Sequence, residues 1–410
     1  MKQTGLFFLL FLMILPPVFS QENTITAISV SGLKRTKPYI IEKPLQKFIG
    51  RDTESIDINE VIAILQSANI VEPLAVEIED NPDGSGKILA ITVREKWSIF
   101  PIPFFSISSS GWGAGGAFMD ANAFGVKDSM MVMGSYGSSS WMASLMYAHS
   151  PNTAGDFGWN LMGMFLFQDR ESVDQKEEEI LRRFNSMAIN PSIGLSYKLT
   201  DLITPGISVF YRNIILRDTE SPINAPEEGV EAIGISPAIA IAHNTWDGYF
   251  LNAKSVSLRY NYTFVIGARD VHSVSLNGAL NHSIIPGFRF TAKTGIVFAT
   301  ASASPFFESS PANAAVNILP QKYSAVDFSG ISLGLEKYLF KFSFGSVSIS
   351  AAYQAVYSNG ELLHDQFDHG PVAMLQMYFS RVAIPGMGLG AAYNADKNTW
   401  QYAFNIGMMF

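Results

Sequence analysis

Two stretches of the sequence carry residue types that could do chemistry. Gly111, Gly113 and Gly116 match a Gly-x-Gly-x-x-Gly string, which cradles a phosphate when a helix follows it. The residues that follow here, 117–120, have the pattern of a strand instead. We therefore interpret these glycines as the beginning of a β-strand rather than as a nucleotide site.

The second stretch contains His364, Asp365, Asp368 and His369, whose imidazole and carboxylate groups are common metal ligands. It falls in a predicted external loop, so we favour a solvated acidic loop over a metal site. No Ser-His-Asp set, paired-carboxylate cleft or nucleophile elbow is evident, and a chain without cysteine has no thiolate for catalysis. The sequence thus predicts a protein that is not an enzyme and that needs no cofactor.

The composition favours an exported protein. The chain has 410 residues, a net charge of −8 and only 16% charged residues, which is low for a soluble protein. Its mildly acidic balance does not favour nucleic-acid binding, because proteins that bind nucleic acids use clustered Lys and Arg. Residues 1–20 have the layout of a signal peptide, with Lys2, an apolar core at 6–15 and cleavage expected after Ser20. That core is too short to span a bilayer as a helix, which needs about 20 residues.

Residues 22–97 predict a small α+β domain with the order β-α-α-β-β. In chain order its elements are a strand at 24–31, helices at 37–49 and 58–68, and strands at 74–78 and 88–95. Gly50 closes the first helix, and Asp57 caps the second. The Asn81-Pro82-Asp83-Gly84 turn joins the last two strands.

This domain resembles a POTRA domain, a periplasmic module that handles polypeptides in transport. The residues that carry the resemblance are Val30-Ser31-Gly32, Gly50, residues 69–76, which lead into the second strand, and residues 91–95, which end the third strand. It implies that the second and third strands offer an edge to which an extended client chain can add.

Residues 399–410 show an alternation of apolar and polar residues that recurs in the sequence before them. One face of this run is apolar and rich in aromatic residues: Trp400, Tyr402, Phe404, Ile406, Met408 and Phe410. Side chains alternate faces along a strand, and the other face here is small or polar without a charge. Such a strand is typical of a transmembrane β-barrel with lipid on one side.

The pattern recurs in about sixteen runs after Trp97, at roughly twenty residues per strand and connection. Short connections, as at 125–128, 285–287 and 384–386, alternate with longer ones. The long connections are 169–185, 217–229, 302–330 and 359–370. For the charged run 169–184 we favour a solvated external loop over a short helix. Residues 98–410 therefore predict an all-β transmembrane barrel of sixteen antiparallel strands after the α+β domain.

A POTRA-like domain followed by sixteen strands resembles the BamA/TamA superfamily of outer-membrane assembly and translocation barrels. Further residues that carry the resemblance are 116–125, 244–255, 330–339 with Glu336, 370–385 and the terminal Phe410. It implies a place in the outer membrane with the N-terminal domain in the periplasm. The implied partners are the lipid bilayer, unfolded outer-membrane or secreted polypeptides and accessory lipoproteins, and Phe410 would end the targeting signal.

The chain departs from this superfamily in its sixth external loop. Members carry a Val-Arg-Gly-Phe-like motif there, whose arginine meets acids on the lumen wall. Residues 302–330 contain no arginine, and the wall strand that usually presents an aspartate reads VYSNG at 356–360. Glu336 remains as a lumen-wall candidate, and Lys322 is its candidate partner. Lysine is the weaker substitute, since it lacks the bidentate fork of arginine.

The expected function is outer-membrane protein assembly or polypeptide translocation, with a seam between the first and last strands. Candidate seam residues are Pro101, Pro103, Trp400, Tyr402 and Phe404. Pro101 and Pro103 lack the amide that a strand donates to its neighbour, which would weaken the seam. An exposed strand edge pairs readily with another chain, so a client hairpin would form there.

Two other functions remain open on the sequence. The missing loop arginine and the single POTRA-like unit favour a passive outer-membrane channel or a structural surface protein. An exporter of one dedicated partner is the third hypothesis.

Overall fold

A computed structural model describes residues 23–108, 111–137, 140–151, 153–174, 179–300, 305–309, 316–319, 323, 325–360, 366–379 and 387–406. These residues form a small α+β domain followed by a large antiparallel β-barrel, which is the predicted fold class. The predicted signal peptide, Lys322 and Phe410 lie outside the described residues.

The N-terminal domain has the predicted order of elements. These are β1 (Ile25–Ser31), α1 (Pro38–Glu42), 3₁₀ turns at Lys43–Phe48 and Thr53–Ser55, α2 (Ile58–Ala68), β2 (Val71–Asp80) and β3 (Lys87–Glu95). The predicted helix over 37–49 changes from α to 3₁₀ at Lys43, since Pro44 has no amide to continue the α-helical ladder. Among the described residues, no helix is long and apolar enough to cross a membrane.

Helix α2 shows why the sequence folds this way locally. The Asp57 carboxylate accepts the Asn59 amide at 2.8 Å, and Asn69 ends the helix in the left-handed conformation with φ 57°. Its buried face, with Val61 and Leu65, packs in the domain core. The other fully buried members of that core include Ile25, Ile41, Leu45, Phe48, Ile70, Val71, Leu89, Ile91 and Val93.

The three strands of this domain lie in the order β1-β3-β2, with β1 parallel and β2 antiparallel to β3. The third strand is therefore central and has both neighbours. The expectation that the second and third strands both offer an edge is wrong for β3, and only β2 is left as an edge on that side.

The barrel strands follow without a further domain. They are β4 (Ile99–Ser108), β5 (Gly111–Ala123), β6 (Asp128–Gly137), β7 (Ser140–His149), β8 (Phe157–Asp174), β9 (Glu179–Ile189), β10 (Ser192–Tyr197), β11 (Ile203–Arg217), β12 (Val230–Trp246), β13 (Leu251–Val265), β14 (Val271–Ile285), β15 (Phe288–Ala299), β16 (Asp327–Phe342), β17 (Gly345–Asn359), β18 (Gln366–Phe379), β19 (Met387–Asn394) and β20 (Thr399–Ile406). The glycine string at residues 111–116 lies in β5, which agrees with the strand interpretation.

These 17 segments form one sheet in which β20 lies beside β4, so the sheet closes on itself. Strands β9 and β10 both pair with β8 and β11, on either side of a break at Asn190 and Pro191. They count as one barrel strand, interrupted where proline has no amide for the ladder. The predicted number of sixteen strands is therefore confirmed.

The two faces of the barrel strands differ as the alternation predicts. On β16, Ile331, Leu333 and Leu335 are exposed on the outer face, while Ser332 and Glu336 are buried toward the lumen. We call the end of the barrel that contacts the N-terminal domain the domain end, and the opposite end the loop end. Connections at the domain end are short, such as 124–127 and 286–287, whereas the loop end carries 218–229 and 300–326.

In the charged run 169–184, the described residues 169–174 and 179–184 form strands rather than a loop or a helix. Strands β8 and β9 continue to pair as far as Asp174 and Glu179, so this run forms a long hairpin at the loop end. Alternation along the hairpin sends Arg170 and Arg182 toward the lumen, and it sends Glu171 and Arg183 outward as an ion pair. The sequence interpretation as a solvated loop was wrong because regular pairing persists beyond the neighbouring strand β7.

Candidate functional site

The described parts of the long connection between β15 and β16, residues 305–309, 316–319, 323 and 325–326, lie in the lumen at the loop end, and we call them the plug loop. Phe306, Val316, Ile318, Leu319, Tyr323 and Ala325 are buried, whereas Ser309 is exposed. Phe306 packs edge-on against Phe184 of β9, with ring centroids 5.5 Å apart. Further along, Ile318 and Tyr323 join a cluster with Val356 and other lumen-facing residues of β16 to β19.

Polar contacts fix the plug loop to the same wall. The Asn317 amide donates to the Gln354 side-chain oxygen at 2.7 Å, and the hydroxyl groups of Tyr323 and Ser358 lie 2.8 Å apart. Ser358 lies in the segment 356–360 where the superfamily usually presents an aspartate. A tyrosine hydroxyl therefore occupies that part of the wall.

Three arginines of the opposite wall hold the front of the plug loop. Arg170 of β8 donates to the Pro305 carbonyl at 3.1 Å, and Arg212 of β11 donates to the Phe306 carbonyl at 3.4 Å. Arg182 of β9 forms an ion pair with Glu308 of the loop at 3.2 Å, and both side chains are less than a tenth exposed. The charges are thus reversed relative to the expected motif, since the acid lies on the loop and the arginines on the wall.

A second buried cluster lies in the lumen near the domain end and contains Glu336. Its carboxylate oxygen Oε2 accepts from Nε and Nη2 of Arg289 at 2.8 and 2.6 Å. The hydroxyl groups of Tyr378 and Ser348 donate to Oε1 at 2.6 and 2.5 Å. Glu336, the lumen-wall candidate, is buried in the wall, and its described partner is Arg289 of the neighbouring strand, while Lys322 lies outside the described residues.

The turn before the ninth barrel strand supports this cluster from below. The Asp247 carboxylate accepts the amides of Tyr249 and Phe250 at 2.8 and 2.6 Å, which fixes the turn. The Phe250 ring then lies 4.4 Å from the Arg289 guanidinium, a cation–π contact. Leu251 completes the arrangement, because its carbonyl accepts from Arg289 at 3.2 Å.

The seam lies between β4 and β20. The Ala121 amide donates to the Ser98 carbonyl at 2.9 Å, and the β4–β5 register continues this pairing without a bulge. Backbone groups alternate sides along a strand, so the even residues of β4 point to β5 and the odd residues point to β20. Pro101 and Pro103 are odd. The two missing amides therefore both face the seam.

The last strand presents its aromatic residues outward at this seam. Trp400 is 58% exposed and Tyr402 is 78% exposed, and their rings stack 6.4 Å apart. Amphipathic aromatic rings of this kind lie at the interface of a membrane. Phe404 lies in β20 by its backbone, and Phe410 is beyond the described residues.

The lumen wall next to the seam is apolar and rich in methionine. Phe100, Met119, Met131, Met146 and Met162 form a row in which each residue is the direct cross-strand partner of the next. We call this set the methionine row. Methionine is unbranched and polarizable, so such a surface adapts to side chains of different shapes.

The N-terminal domain is fixed to the barrel beside the first strands. Arg35 forms an ion pair with Asp120 at 3.0 Å and donates to the Ser98 hydroxyl at 2.8 Å. Thr36 accepts from the Asn122 side chain at 2.8 Å. Gly125 has φ 72° and approaches the Arg35 carbonyl so closely that no side chain would fit between them.

A second contact joins Lys43 to Asp156 in the turn between β7 and β8. Burial alone would raise the pKa of Asp156, but the Lys43 ammonium and the amide and hydroxyl of Thr153 lower that pKa to about 2. Because the pKa of Asp156 is lower in the folded state than its ordinary value of 3.8, this carboxylate stabilises the folded state at pH values above 3.8. That contribution is lost as the pH falls from 3.8 toward about 2.

Arg35→Ala should loosen the N-terminal domain from the barrel, because Asp120 and Ser98 lose their shared cationic partner. We expect faster amide hydrogen exchange at residues 95–98 and at the 124–127 turn, with the barrel itself unchanged. Lys47→Ala is the matched control, since Lys47 pairs with Glu60 on the surface of the same domain. Equal exchange in the two variants would contradict a docking role for Arg35.

The residues of the possible metal cluster are engaged elsewhere. Asp368 is fully buried, accepts from Asn394 at 2.9 Å and pairs with Lys397 at 3.3 Å. His369 contacts Tyr353 and Asp396. The favoured interpretation as a solvated loop is therefore wrong for Asp368. His364 and Asp365 lie outside the described residues.

The sequence reasoning missed the residues that bind the plug loop. Arg170 and Arg182 were grouped with their outward neighbours as one charged run, although their even spacing could have separated the two faces. Glu308 is the one acid between residues 301 and 326, and that could have marked it. The partner of Glu336, Arg289, could not be identified without the β15–β16 register that places the two residues opposite each other.

No protein-family model and no curated protein matches this chain. Among solved structures, CdiB from Escherichia coli has a TM-score of 0.61 at 12% identity and covers 94% of this chain and 75% of its own. CdiB from Acinetobacter baumannii has a TM-score of 0.60 at 11% identity, with 94% and 74% covered. BamA from Haemophilus ducreyi lacking POTRA domains 1–3 has a TM-score of 0.52 at 12% identity, with 93% and 84% covered. This chain therefore shares the fold of the BamA/TamA-type superfamily.

Proposed function

We propose that this protein is an outer-membrane assembly or translocation factor that works on polypeptides at the β4–β20 seam. The observation that carries the proposal is the alignment of Pro101 and Pro103, whose missing amides both face β20. A closed barrel normally has a complete ladder at every strand pair. A seam short of two donors opens at lower cost than its neighbours, and an opened edge pairs with an incoming strand.

The surroundings of the seam fit this use. The methionine row lines the lumen next to β4 and suits clients whose apolar side chains differ in shape. The N-terminal domain is fixed at Asp120 and Gly125, directly below the first strands. In the outer membrane this domain would lie in the periplasm, and the free edge of β2 would receive a client there.

The alternative of a passive channel is less well supported. The described residues of the plug loop fill the loop end of the lumen through two apolar clusters and the Arg182–Glu308 pair. These contacts of the described residues oppose a permanently open path at the loop end. The arrangement favours a plug loop that stabilises the barrel wall, with polypeptides handled at the seam.

Depletion of the protein, followed by an inventory of the outer membrane, tests the proposal. We expect the levels of several unrelated barrel proteins or surface-exposed polypeptides to fall, because their strands no longer find a template. Restoring the wild-type chain should restore them, whereas a chain with its seam cross-linked should not. Unchanged levels after depletion would refute the proposal, and loss of a single surface protein would instead support a dedicated exporter.

A further inference from the structure

The described side chains that face the lumen carry an excess of positive charge, opposite in sign to the net charge of the whole chain. Although the net charge of the protein is −8, the lumen faces of its strands carry basic residues along their whole height. These are Arg170, Arg182, Arg212, Arg259, Arg289 and Lys293. Where the structure describes side chains, the acids on the same strand faces are Glu336 and Asp368. The excess of positive charge inside therefore comes from placement and not from composition.

The arginines at the loop end are the first part of this path. Arg170 and Arg212 contact carbonyl oxygens of the plug loop and the rings of Phe306 and Phe307, at 5.8 and 5.5 Å respectively. Neither has a carboxylate within ion-pair distance among the described residues. Among the described side chains at this end of the lumen, Glu308 is the acid that pairs with these arginines, through Arg182.

The middle of the lumen continues the same charge. Arg259 of β13 is exposed toward the lumen, and Lys293 of β15 lines a cavity of about 160 Å³. The cavity lies between Asn317 of the plug loop and the Arg289–Glu336 pair. The charges of Arg289 and Glu336 compensate each other, so this pair does not change the excess of positive charge at the loop end of the lumen. The facing wall is lined by the methionine row, whose described side chains in β4 to β8 carry no charge.

We propose that the lumen conducts small anions in preference to cations whenever Glu308 leaves its mouth, with Arg170, Arg182 and Arg212 setting this selectivity. Rings of arginine and lysine are what anion pores use to select their ions. A low-dielectric wall on the other side focuses the potential and raises the local concentration of counter-ions. Arginine keeps its charge at every accessible pH, so the selectivity would persist across the physiological range.

In this view Glu308 acts as an internal anion that occupies the site. Its carboxylate lies where a chloride or a carboxylate from solution would neutralise the same arginines. The inference does not depend on the proposed assembly function, because conduction through the lumen and opening of the seam are separate events.

Planar-bilayer recordings of the purified full-length protein in a KCl gradient test the proposal. Glu308→Gln keeps the shape of the side chain and removes its charge, so we expect more frequent openings with a reversal potential of chloride sign and a severalfold preference for chloride. Adding Arg170→Gln and Arg212→Gln should move the permeability ratio toward unity. Arg183→Gln is the matched control, since this neighbour of Arg182 points outward to Glu171 and should leave the ratio unchanged.

Brief openings of the wild-type protein under high applied voltage give a second measurement that needs no substitution. Their reversal potential should also have the chloride sign. Cation-selective openings in either protein would overturn the proposal, as would a folded Glu308→Gln barrel that never conducts. An equal loss of selectivity in Arg183→Gln would overturn the assignment to the lumen arginines.

Discussion

Arg289→Met should destabilise the barrel by about 3–5 kcal/mol, because it leaves the Glu336 carboxylate buried without its cation. Glu336 is 2% exposed, and among the described residues its remaining hydrogen-bond partners after the substitution would be the hydroxyl groups of Ser348 and Tyr378. Two neutral donors cannot replace a bidentate guanidinium. The measurement is the urea dependence of unfolding of the barrel reconstituted in lipid vesicles, monitored by tryptophan fluorescence.

The double variant Arg289→Met/Glu336→Gln separates the pair from its surroundings. With both charges removed, no uncompensated ion is buried, so the double variant should be more stable than Arg289→Met alone. Lys337→Met, next to Glu336 in sequence but exposed on the outer face, should change stability by no more than about 0.5 kcal/mol. A double variant that is no more stable than Arg289→Met alone would contradict the coupling.

Pro101→Ala/Pro103→Ala should tighten the seam and lower its activity. The two substitutions restore amides that face β20, and each hydrogen bond gained stabilises by about 0.5–1.5 kcal/mol. Because about 1.4 kcal/mol changes an equilibrium tenfold, the open fraction of the seam should fall by roughly tenfold or more. We expect the double variant, expressed in place of the wild type, to reproduce the losses expected on depletion.

Two readouts make the seam prediction specific. The free energy of unfolding should rise or stay level, so lost activity would not reflect a damaged fold. Pro237→Ala in β12 is the control, because it removes a strand proline far from the seam and increases the flexibility of the unfolded chain in the same way for each proline removed. Full activity of the Pro101→Ala/Pro103→Ala protein would contradict a role for the missing amides, and an equal loss in Pro237→Ala would show that the effect is not local.

The local elements of this protein follow directly from its sequence. Alternation along each run settled which residues face outward, so the outer face of β16 and the lumen position of Glu336 were predictable. The caps at Asp57 and Asn69 likewise determined the bounds of α2, because their contacts are made within a few residues. The short and long connections gave the number of strands. These features depend on neighbours in the chain, which a sequence displays.

The partners within the lumen were decided by the tertiary structure. Arg289 and Glu336 are 47 residues apart and meet because the β15–β16 register places them opposite each other. Arg182 and Glu308 are 126 residues apart and meet because the plug loop folds back into the barrel. The superfamily motif places the arginine on the loop, so it does not predict the reverse arrangement, in which Glu308 lies on the loop and Arg182 on the wall. Alternation along a strand determines on which face of the barrel a charged side chain lies. Its partner is determined by strand register and by the packing of the plug loop, which join residues that are far apart in the sequence.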